Sequence, residues 1–320
     1  MQVSAKQSGR PAAPDWVKLR RLRAEDPDGI AVALAKRPRR PLIAGDGRLF
    51  IVAADHPARA SLAVGDESLA MASRDELLRR LVLALSCPGV DGVLATADII
   101  DDLALLGALD NKLAFGSMNR GGLRGSVFEM DDRFTGYDIQ TIVSSRLDGA
   151  KILVRIDLQD TGTVRTLDHA ARAVSAAAAV RLPVMLEPFI SLRRDGRLVN
   201  DLSAHAVIHS VAVASGLGVS SAYSWLKLPV VDDMEAVLEA TTLPVLLLGG
   251  DGGGDPESRY AAWERALELP GVRGLVAGRN LLYPDDGDVA AAVGITAKLV
   301  HGSNSEAVLD GAVSDRSVGR

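Results

Sequence analysis

The sequence predicts an α/β protein that closes into a (β/α)8 TIM barrel with an N-terminal helical extension. Two observations support this fold class: eight short apolar runs alternate with helix-like stretches, and each run is apolar along most of its length. Continuous apolar strands are typical of parallel sheets whose outer face is covered by helices. An open, doubly wound sheet is the alternative, but no Gly-x-Gly-x-x-Gly follows the first strand, and eight units in this length favour closure.

The chain divides into three predicted regions. Residues 1–47 form the N-terminal extension, which is helical over about 15–40 and is expected to plug or cover one end of the barrel. Residues 48–301 form the barrel, and residues 302–320 are a polar tail that we expect to be disordered. The predicted strands are 49–54, 90–96, 112–118, 151–156, 182–186, 222–228, 243–248 and 272–277. Helices are expected over 73–86, 138–147, 168–180, 204–215, 232–240 and 256–267.

The composition excludes several classes of protein. Hydrophobic residues make up 48% of the 320 residues and aromatic residues only 4%, which predicts one large aliphatic core. The formal charge of -5 is spread without charged blocks, which argues against a nucleic-acid or membrane-surface partner. The single cysteine excludes an internal disulfide and suits a reducing compartment. No membrane helix or secretory signal is visible, so we expect a cytoplasmic protein.

Two connections between predicted elements are longer than the others. They span residues 120–136, after the third strand, and residues 191–201, after the fifth strand. Both follow the C-terminal ends of strands, where barrels carry their active sites, and long loops there are candidate lids. The alternative is that both are solvated surface excursions.

Polar residues follow or end most of the predicted strands. They are Asp55, Asp98, Asn119, Arg155, Asp157, Glu187, Lys227 and Arg279. Side chains at these positions of a barrel face a common bowl. Lys227 is the most informative of them, because it is embedded between Leu226 and Leu228, and a buried ammonium group needs a partner or a chemical use. Snorkelling to the barrel rim or pairing with a carboxylate is the simpler explanation.

This set of residues suits imine chemistry. A lysine must be unprotonated to attack a ketone, and its ordinary pKa of about 10.4 leaves little free amine at neutral pH. Burial and a second cation, for which Arg155 is the candidate, are expected to lower the pKa of Lys227. Glu187 is then the candidate proton shuttle, and Asp55 is the candidate for positioning the lysine or a substrate hydroxyl.

Glycines directly after the last two strands predict a phosphate site. Gly249 and Gly250 follow the seventh strand, and Gly278 and Arg279 follow the eighth. In barrels these two loops often bind phosphate, and Arg279 adds charge-assisted hydrogen bonds. Simple turns are the alternative. His205 and His209 have the spacing of a metal-binding pair, but the glutamate of such motifs is absent, so neither metal nor cofactor is expected.

The segments 54–56, 186–188, 226–230, 249–250 and 277–280 together resemble the DeoC/LacD-type class I aldolase family, which includes archaeal-type fructose-bisphosphate aldolases. The resemblance covers about residues 48–301. It implies a Schiff base on Lys227, an assisting role for Asp55, phosphate binding by the last two loops, and a homo-oligomer. Glu187 stands where the fructose-bisphosphate type usually has a tyrosine, and this is closer to the tagatose-bisphosphate type.

The loop after the third strand contains Arg120 and Arg124, and the sequence Thr135-Gly136-Tyr137-Asp138 lies at its end. These features depart from the sugar-bisphosphate enzymes and resemble an actinobacterial branch of barrel proteins. That resemblance implies a phosphorylated deoxy-keto acid from inositol catabolism, with its carboxylate held by Arg120, Arg124 or Arg155. Asn119 and Asp157 are further candidate substrate contacts.

The expected function is therefore reversible carbon–carbon cleavage of a phosphorylated ketose or keto acid by a class I aldolase, a lyase. A phosphate-binding isomerase or synthase, or a non-catalytic sugar-phosphate binding protein, is the alternative.

Overall fold

The structure is a computed structural model that describes residues 14–119, 122–250 and 255–302. Its strands are β1 Leu49–Ala53, β2 Gly92–Ala95, β3 Leu113–Ser117, β4 Gly149–Ile156, β5 Val184–Arg194, β6 Arg197–Asn200, β7 Ser224–Leu228, β8 Val245–Leu248 and β9 Val272–Ala277. Its α-helices are α1 Trp16–Glu25, α2 Asp28–Lys36, α3 Arg74–Ser86, α4 Ala97–Leu105, α5 Ile139–Ser144, α6 Gly162–Ala179, α7 Ala204–Ser215, α8 Met234–Glu239, α9 Pro256–Leu267, α10 Arg279–Leu282 and α11 Val289–His301, and a 3₁₀ helix spans Pro57–Arg59.

The strands form a closed parallel barrel, which confirms the predicted (β/α)8 fold. The order is β4-β3-β2-β1-β9-β8-β7-β5, and parallel pairing of β4 with β5 closes the ring. Along β4 and β5, Leu153 lies opposite Glu187, and on the other side of β5 Met185 lies opposite Trp225 of β7. These registers bring polar residues of β4, β5 and β7 to similar depths in the barrel.

Side-chain alternation along the strands separates two apolar cores. Residues that point inward, such as Ile51, Phe115 and Met185, form a small cluster inside the barrel. Residues of the opposite parity, such as Leu226 and Leu228, belong to a larger cluster that includes buried residues of the surrounding helices. Since successive side chains of a strand point to opposite faces, Trp225 and Lys227 of β7 lie on the inner face.

The segment after α2 packs at the amino-terminal end of the strands. Arg37 donates to Asp148 Oδ2 at 2.8 Å and Arg39 donates to Asp148 Oδ1 at 2.7 Å, just before β4. Arg40 pairs with Asp91, just before β2, and Leu42 packs against the inner apolar cluster. The extension therefore covers the end of the barrel opposite to the βα loops.

The connection after the fifth barrel strand differs from the expected long loop. β5 continues to Arg194 and pairs with the antiparallel strand β6, so most of residues 191–201 form a β-hairpin. Its turn residues, Asp195 and Gly196, have φ angles of 51° and 74°. Asp-Gly is a strong signal for a two-residue hairpin turn with positive φ at both positions, so the sequence contained the information that was missed.

Other boundaries also differ from the expected ones. α6 begins at Gly162 rather than at residue 168, and the structure adds α4, α10 and α11. Residues 122–136 contain neither helix nor strand, as expected for a long connection. The predicted tail lies outside the described residues from position 303 onward. Within the part of the chain that the structure describes, no helix combines the length and the apolar character needed to cross a membrane.

Candidate active site

Four buried charged side chains meet inside the barrel, below the βα loops. Lys227 lies on β7, Glu187 on β5, Lys151 on β4, and Asp55 two residues after β1. Asp55 and Lys151 are completely buried, whereas Glu187 is 8% exposed and Lys227 is 4% exposed. All four belong to the inward-facing parity of their strands, so the barrel closes around them.

These side chains form a continuous chain of alternating charge. Glu187 Oε1 lies 2.5 Å from Lys227 Nζ, and Glu187 Oε2 pairs with Lys151 Nζ. Lys151 Nζ lies 3.3 Å from Asp55 Oδ2, which also accepts a hydrogen bond of 2.9 Å from Ser117 Oγ. Two ammonium groups are thus balanced by two carboxylates, as buried charges require.

Lys151 is the site residue that sequence reasoning missed. It was included as the first residue of the predicted fourth strand, but no role was given to it. The signal that singled out Lys227 was also present here, because Lys151 stands between Ala150 and Ile152 in a buried strand. Its parity with Leu153 and Arg155 places all three on the inner face.

Arg155 was expected to be the second cation beside Lys227, and the structure gives it different contacts. Its Nε donates to Asp132 Oδ2 at 2.8 Å, and its terminal nitrogen donates to the carbonyl of Glu129. Arg155 therefore ties the 122–136 connection to β4. The ammonium group that shares Glu187 with Lys227 belongs instead to Lys151.

A cavity of about 660 Å³ opens over Lys227 and Glu187. Five arginines line it together with these two residues: Arg59, Arg124, Arg155, Arg259 and Arg279. The carboxylates on its wall are Glu129 and Glu187. A wall with this excess of cationic side chains favours an anionic ligand.

The four residues predicted to bind phosphate all line this cavity. Gly278 directly follows β9 and packs so closely on β1 that an added Cβ would overlap the carbonyl oxygen of Ala53. Asn280 Nδ2 donates to the carbonyl of Gly249 at 2.5 Å and thereby joins the two loops. The four residues therefore lie together on one side of the cavity, at the ends of β8 and β9.

The candidate substrate contacts do not all line this cavity. Arg124 lines the cavity and donates to Ser61 Oγ at 3.2 Å. Asn119 instead joins β3 to β4, since its side chain bonds to the amide and carbonyl of Leu153 at 2.8 and 2.6 Å. Asp157 caps a turn by accepting from the amide of Gln159 at 2.9 Å, and it does not line the cavity. Arg120 lies outside the described residues.

Asp98 was expected to face the bowl, but it lies in the first turn of α4. It accepts a hydrogen bond of 2.6 Å from Thr96 and pairs with Arg74 of α3. It therefore lies among the surrounding helices rather than in the cavity.

Two basic side chains of the cavity wall, those of His56 and Arg59, have lowered pKa values. Burial lowers the pKa of His56 well below its ordinary value, and the positive charges of Arg279 and Lys227 lower it further. Burial also lowers the pKa of Arg59 to about 10, with a further contribution from Arg155. His56 is therefore neutral at physiological pH.

Metal-ligating side chains do not form a group of three or more within residues 14–119, 122–250 and 255–302. His205 and His209 of α7 contact each other, with ring centroids 4.2 Å apart and the ring planes inclined at 45°.

The fold defines a TIM-barrel protein, and solved structures share this fold. An archaeal fructose 1,6-bisphosphate aldolase matches at 20% identity and a TM-score of 0.61, covering 85% of this chain and 99% of that chain. A structure of an archaeal fructose-1,6-bisphosphate aldolase with the catalytic lysine covalently bound to the carbinolamine intermediate of the substrate matches at 19% identity and a TM-score of 0.62, covering 85% of this chain and 100% of that chain.

The chain belongs to the Cgl0159-like family, whose model matches residues 47–297. The crystal structure of Cgl0159 from Corynebacterium glutamicum is 61% identical, with a TM-score of 0.88, and covers 89% of this chain and 96% of that chain. No functionally curated protein matches the sequence. The predicted resemblance to class I aldolases thus holds for the fold, while the family itself is the Cgl0159-like one.

Proposed function

We propose that this protein is a class I aldolase that forms an imine between Lys227 and a phosphorylated ketose or keto acid and reversibly cleaves a carbon–carbon bond. The observation that carries the proposal is the Glu187 carboxylate, which joins the Lys227 and Lys151 ammonium groups at the wall of an arginine-lined cavity. A nucleophilic lysine needs a nearby group that accepts its proton and a second cation that disfavours its protonated form. Glu187 and Lys151 meet these two requirements.

The charge chain explains how a free amine arises at the site. Lys151 remains protonated, because it contacts both Glu187 and the fully buried Asp55. Glu187 takes the proton of Lys227 across the 2.5 Å that separates their atoms. The neutral amine attacks the ketone, and the protonated Glu187 returns the proton to the carbinolamine hydroxyl, which leaves as water.

The resulting iminium withdraws electrons from the neighbouring carbon. When the carbon–carbon bond breaks, a base takes the proton of the substrate hydroxyl, whose oxygen becomes the carbonyl of the departing aldehyde, and the electron pair of the bond moves toward the iminium and forms an enamine. Protonation of the enamine carbon and addition of water then release the ketone product and restore Lys227. Lys227 and Glu187 line the cavity, and Lys151 contacts Glu187 from beneath the cavity wall.

The proposed phosphate site comprises Gly249, Gly250, Gly278 and Arg279. Its support is their position on the same cavity as Lys227, which allows one ligand to contact both. Arg124 remains a proposed substrate contact, and the cavity adds Arg59 beside it, because Arg124 donates its backbone amide to the carbonyl of Arg59 at 2.9 Å. We propose that the substrate lies between these two cationic regions, with its charged groups facing them.

Borohydride trapping with dihydroxyacetone phosphate tests the proposal. We expect a reduced adduct on Lys227, identified by peptide mass spectrometry and formed equally in the presence of a chelator. Lys227→Met is expected to abolish the adduct. Lys298→Met is the matched control, because Lys298 is an exposed lysine on α11.

The proposal fails if ketone phosphates give no adduct on Lys227 in the wild-type protein. A phosphate-binding isomerase, synthase or binding protein would then be favoured if Arg279→Gln, but not Lys227→Met, removed ligand binding.

We also expect a cytoplasmic homo-oligomer without membrane or nucleic-acid partners, and light scattering after gel filtration measures its subunit number.

A further inference from the structure

We infer that His56 is the acid–base group that takes the proton from the substrate hydroxyl when the carbon–carbon bond breaks. This inference rests on the proposed aldolase function. It assigns a second proton-transfer residue, separate from Glu187, to the same cavity.

The position of His56 is fixed by the local backbone. Its carbonyl accepts hydrogen bonds from the amides of Arg59 and Ser61 at 3.2 and 3.3 Å, at the start of the 3₁₀ helix. This places the imidazole on the wall of the same cavity as Lys227 and Glu187. A ketose or keto acid bound in this cavity can therefore reach the ring.

The imidazole is not satisfied by the residues that the structure describes. Its Nδ1 is buried without a hydrogen-bond partner among them, and Asp55 Oδ1 lies 3.9 Å away, beyond hydrogen-bond distance. Buried polar atoms are nearly always hydrogen-bonded, so an unsatisfied one in a cavity wall indicates a ligand group or a contact that tightens on binding.

The other acid–base groups near the cavity are already engaged. Glu187 lies between two ammonium groups and serves the nitrogen of the imine. Glu129 accepts from the amide of Gly125 at 2.9 Å and lies 3.7 Å from Arg59 and 3.8 Å from Arg155. Asp55 is fully buried behind Lys151. Among the described residues, this leaves His56 for the hydroxyl.

The charges around His56 couple its basicity to substrate binding. Without ligand, burial and the nearby cations Arg279, Lys227 and Lys151 keep the ring neutral, and Glu187 opposes them. A substrate phosphate next to Arg279 would offset the largest of these positive contributions. His56 thus becomes a stronger base when an anionic substrate is bound, which is the state in which a base is needed.

A ring nitrogen of His56 accepts the hydroxyl proton, the oxygen forms the aldehyde carbonyl, and the electron pair of the broken carbon–carbon bond moves to the iminium to form the enamine. The imidazolium releases its proton to solvent as the aldehyde leaves, and the enamine carbon takes up one proton. No oxidant, reductant or other co-reactant is consumed.

Two half-reactions distinguish this role from the role of Glu187. The first is the exchange of a carbon-bound hydrogen of dihydroxyacetone phosphate with D₂O, which needs only the imine and the enamine. The second is the condensation of this ketone with a panel of small aldehydes, which also needs proton transfer at the new hydroxyl. We expect His56→Asn to retain exchange and borohydride trapping and to lose about 10²–10⁴-fold in condensation. His205→Asn, an exposed histidine on α7, is the control and retains both.

Equal loss of both half-reactions in His56→Asn, or retention of both, would overturn the inference. Absence of exchange and trapping in the wild-type protein would instead refute the proposed aldolase function. A second measurement uses no variant: ¹⁵N spectra of the histidine rings should show a neutral His56 at pH 7 and a rise of its pKa when inorganic phosphate is added. An unchanged pKa with phosphate bound would contradict the coupling and, with it, the assigned role.

Discussion

Replacement of Lys151 by methionine is expected to destabilise this protein more than the same replacement of Lys227. Lys151 is completely buried and contacts the carboxylates of both Glu187 and Asp55. Removing one partner of a buried ion pair costs about 3–5 kcal/mol, because it leaves uncompensated charge. Lys227 contacts Glu187 at the cavity wall, where water can replace its nitrogen and where Lys151 still neutralises the carboxylate. Its loss should cost about 1–2 kcal/mol.

Thermal unfolding measures this difference. At about 2 °C per kcal/mol for a chain of this size, Lys151→Met should lower Tm by about 6–10 °C and Lys227→Met by about 2–4 °C. The exposed Lys298→Met should leave Tm within about 1 °C of the wild-type value.

A double variant tests the cause of the larger effect. Adding Asp55→Asn to Lys151→Met removes a carboxylate charge that Lys151 had balanced, while Glu187 keeps its contact with Lys227, so part of the lost stability should return, with a coupling energy of about 1–3 kcal/mol. The reasoning would be wrong if the two lysine variants had equal Tm values, or if the second substitution destabilised the protein further.

Three further predictions concern Gly278, His301 and Arg279. Gly278→Ala should lower the unfolding free energy by about 1–3 kcal/mol, because the added Cβ would overlap the carbonyl of Ala53. Gly294→Ala, in open space on α11, should not lower it. Thermal unfolding of both variants measures the difference. Burial disfavours the charged form of His301, but the bonds to Asp91 and Asp46 raise the pKa of this histidine. The stabilising contribution of His301 is therefore full below about pH 6.5 and is lost as the pH rises through the folded-state pKa. The Tm difference between the wild-type protein and His301→Gln should therefore shrink from pH 6 to pH 8.5, and a constant difference would contradict the assignment. Arg279→Gln should weaken dihydroxyacetone phosphate binding about 10–100-fold, measured from the concentration dependence of trapping, while the exposed Arg273→Gln should not.

The N-terminal helices and the eight-strand alternation were predictable from the sequence because each depends on local patterns. A continuous apolar run, a turn residue and a helical period are all contained within about ten neighbouring residues. The same local reasoning identified Lys227 as a buried ammonium group and identified Asp55 and Glu187 as polar residues at strand ends. It also indicated glycine loops after the last two strands, and these loops line the cavity.

Only the tertiary structure decided which charged groups meet. Lys151 and Lys227 are 76 positions apart in the numbering, and they share Glu187 because β4 and β7 both pair with β5 in a closed ring. Arg155 has the same parity as Lys151, but it contacts Asp132 and Glu129 because the 122–136 connection folds back over β4. Contacts of this kind depend on barrel closure and on the path of a loop, and neither is encoded in the periodicity of a single segment.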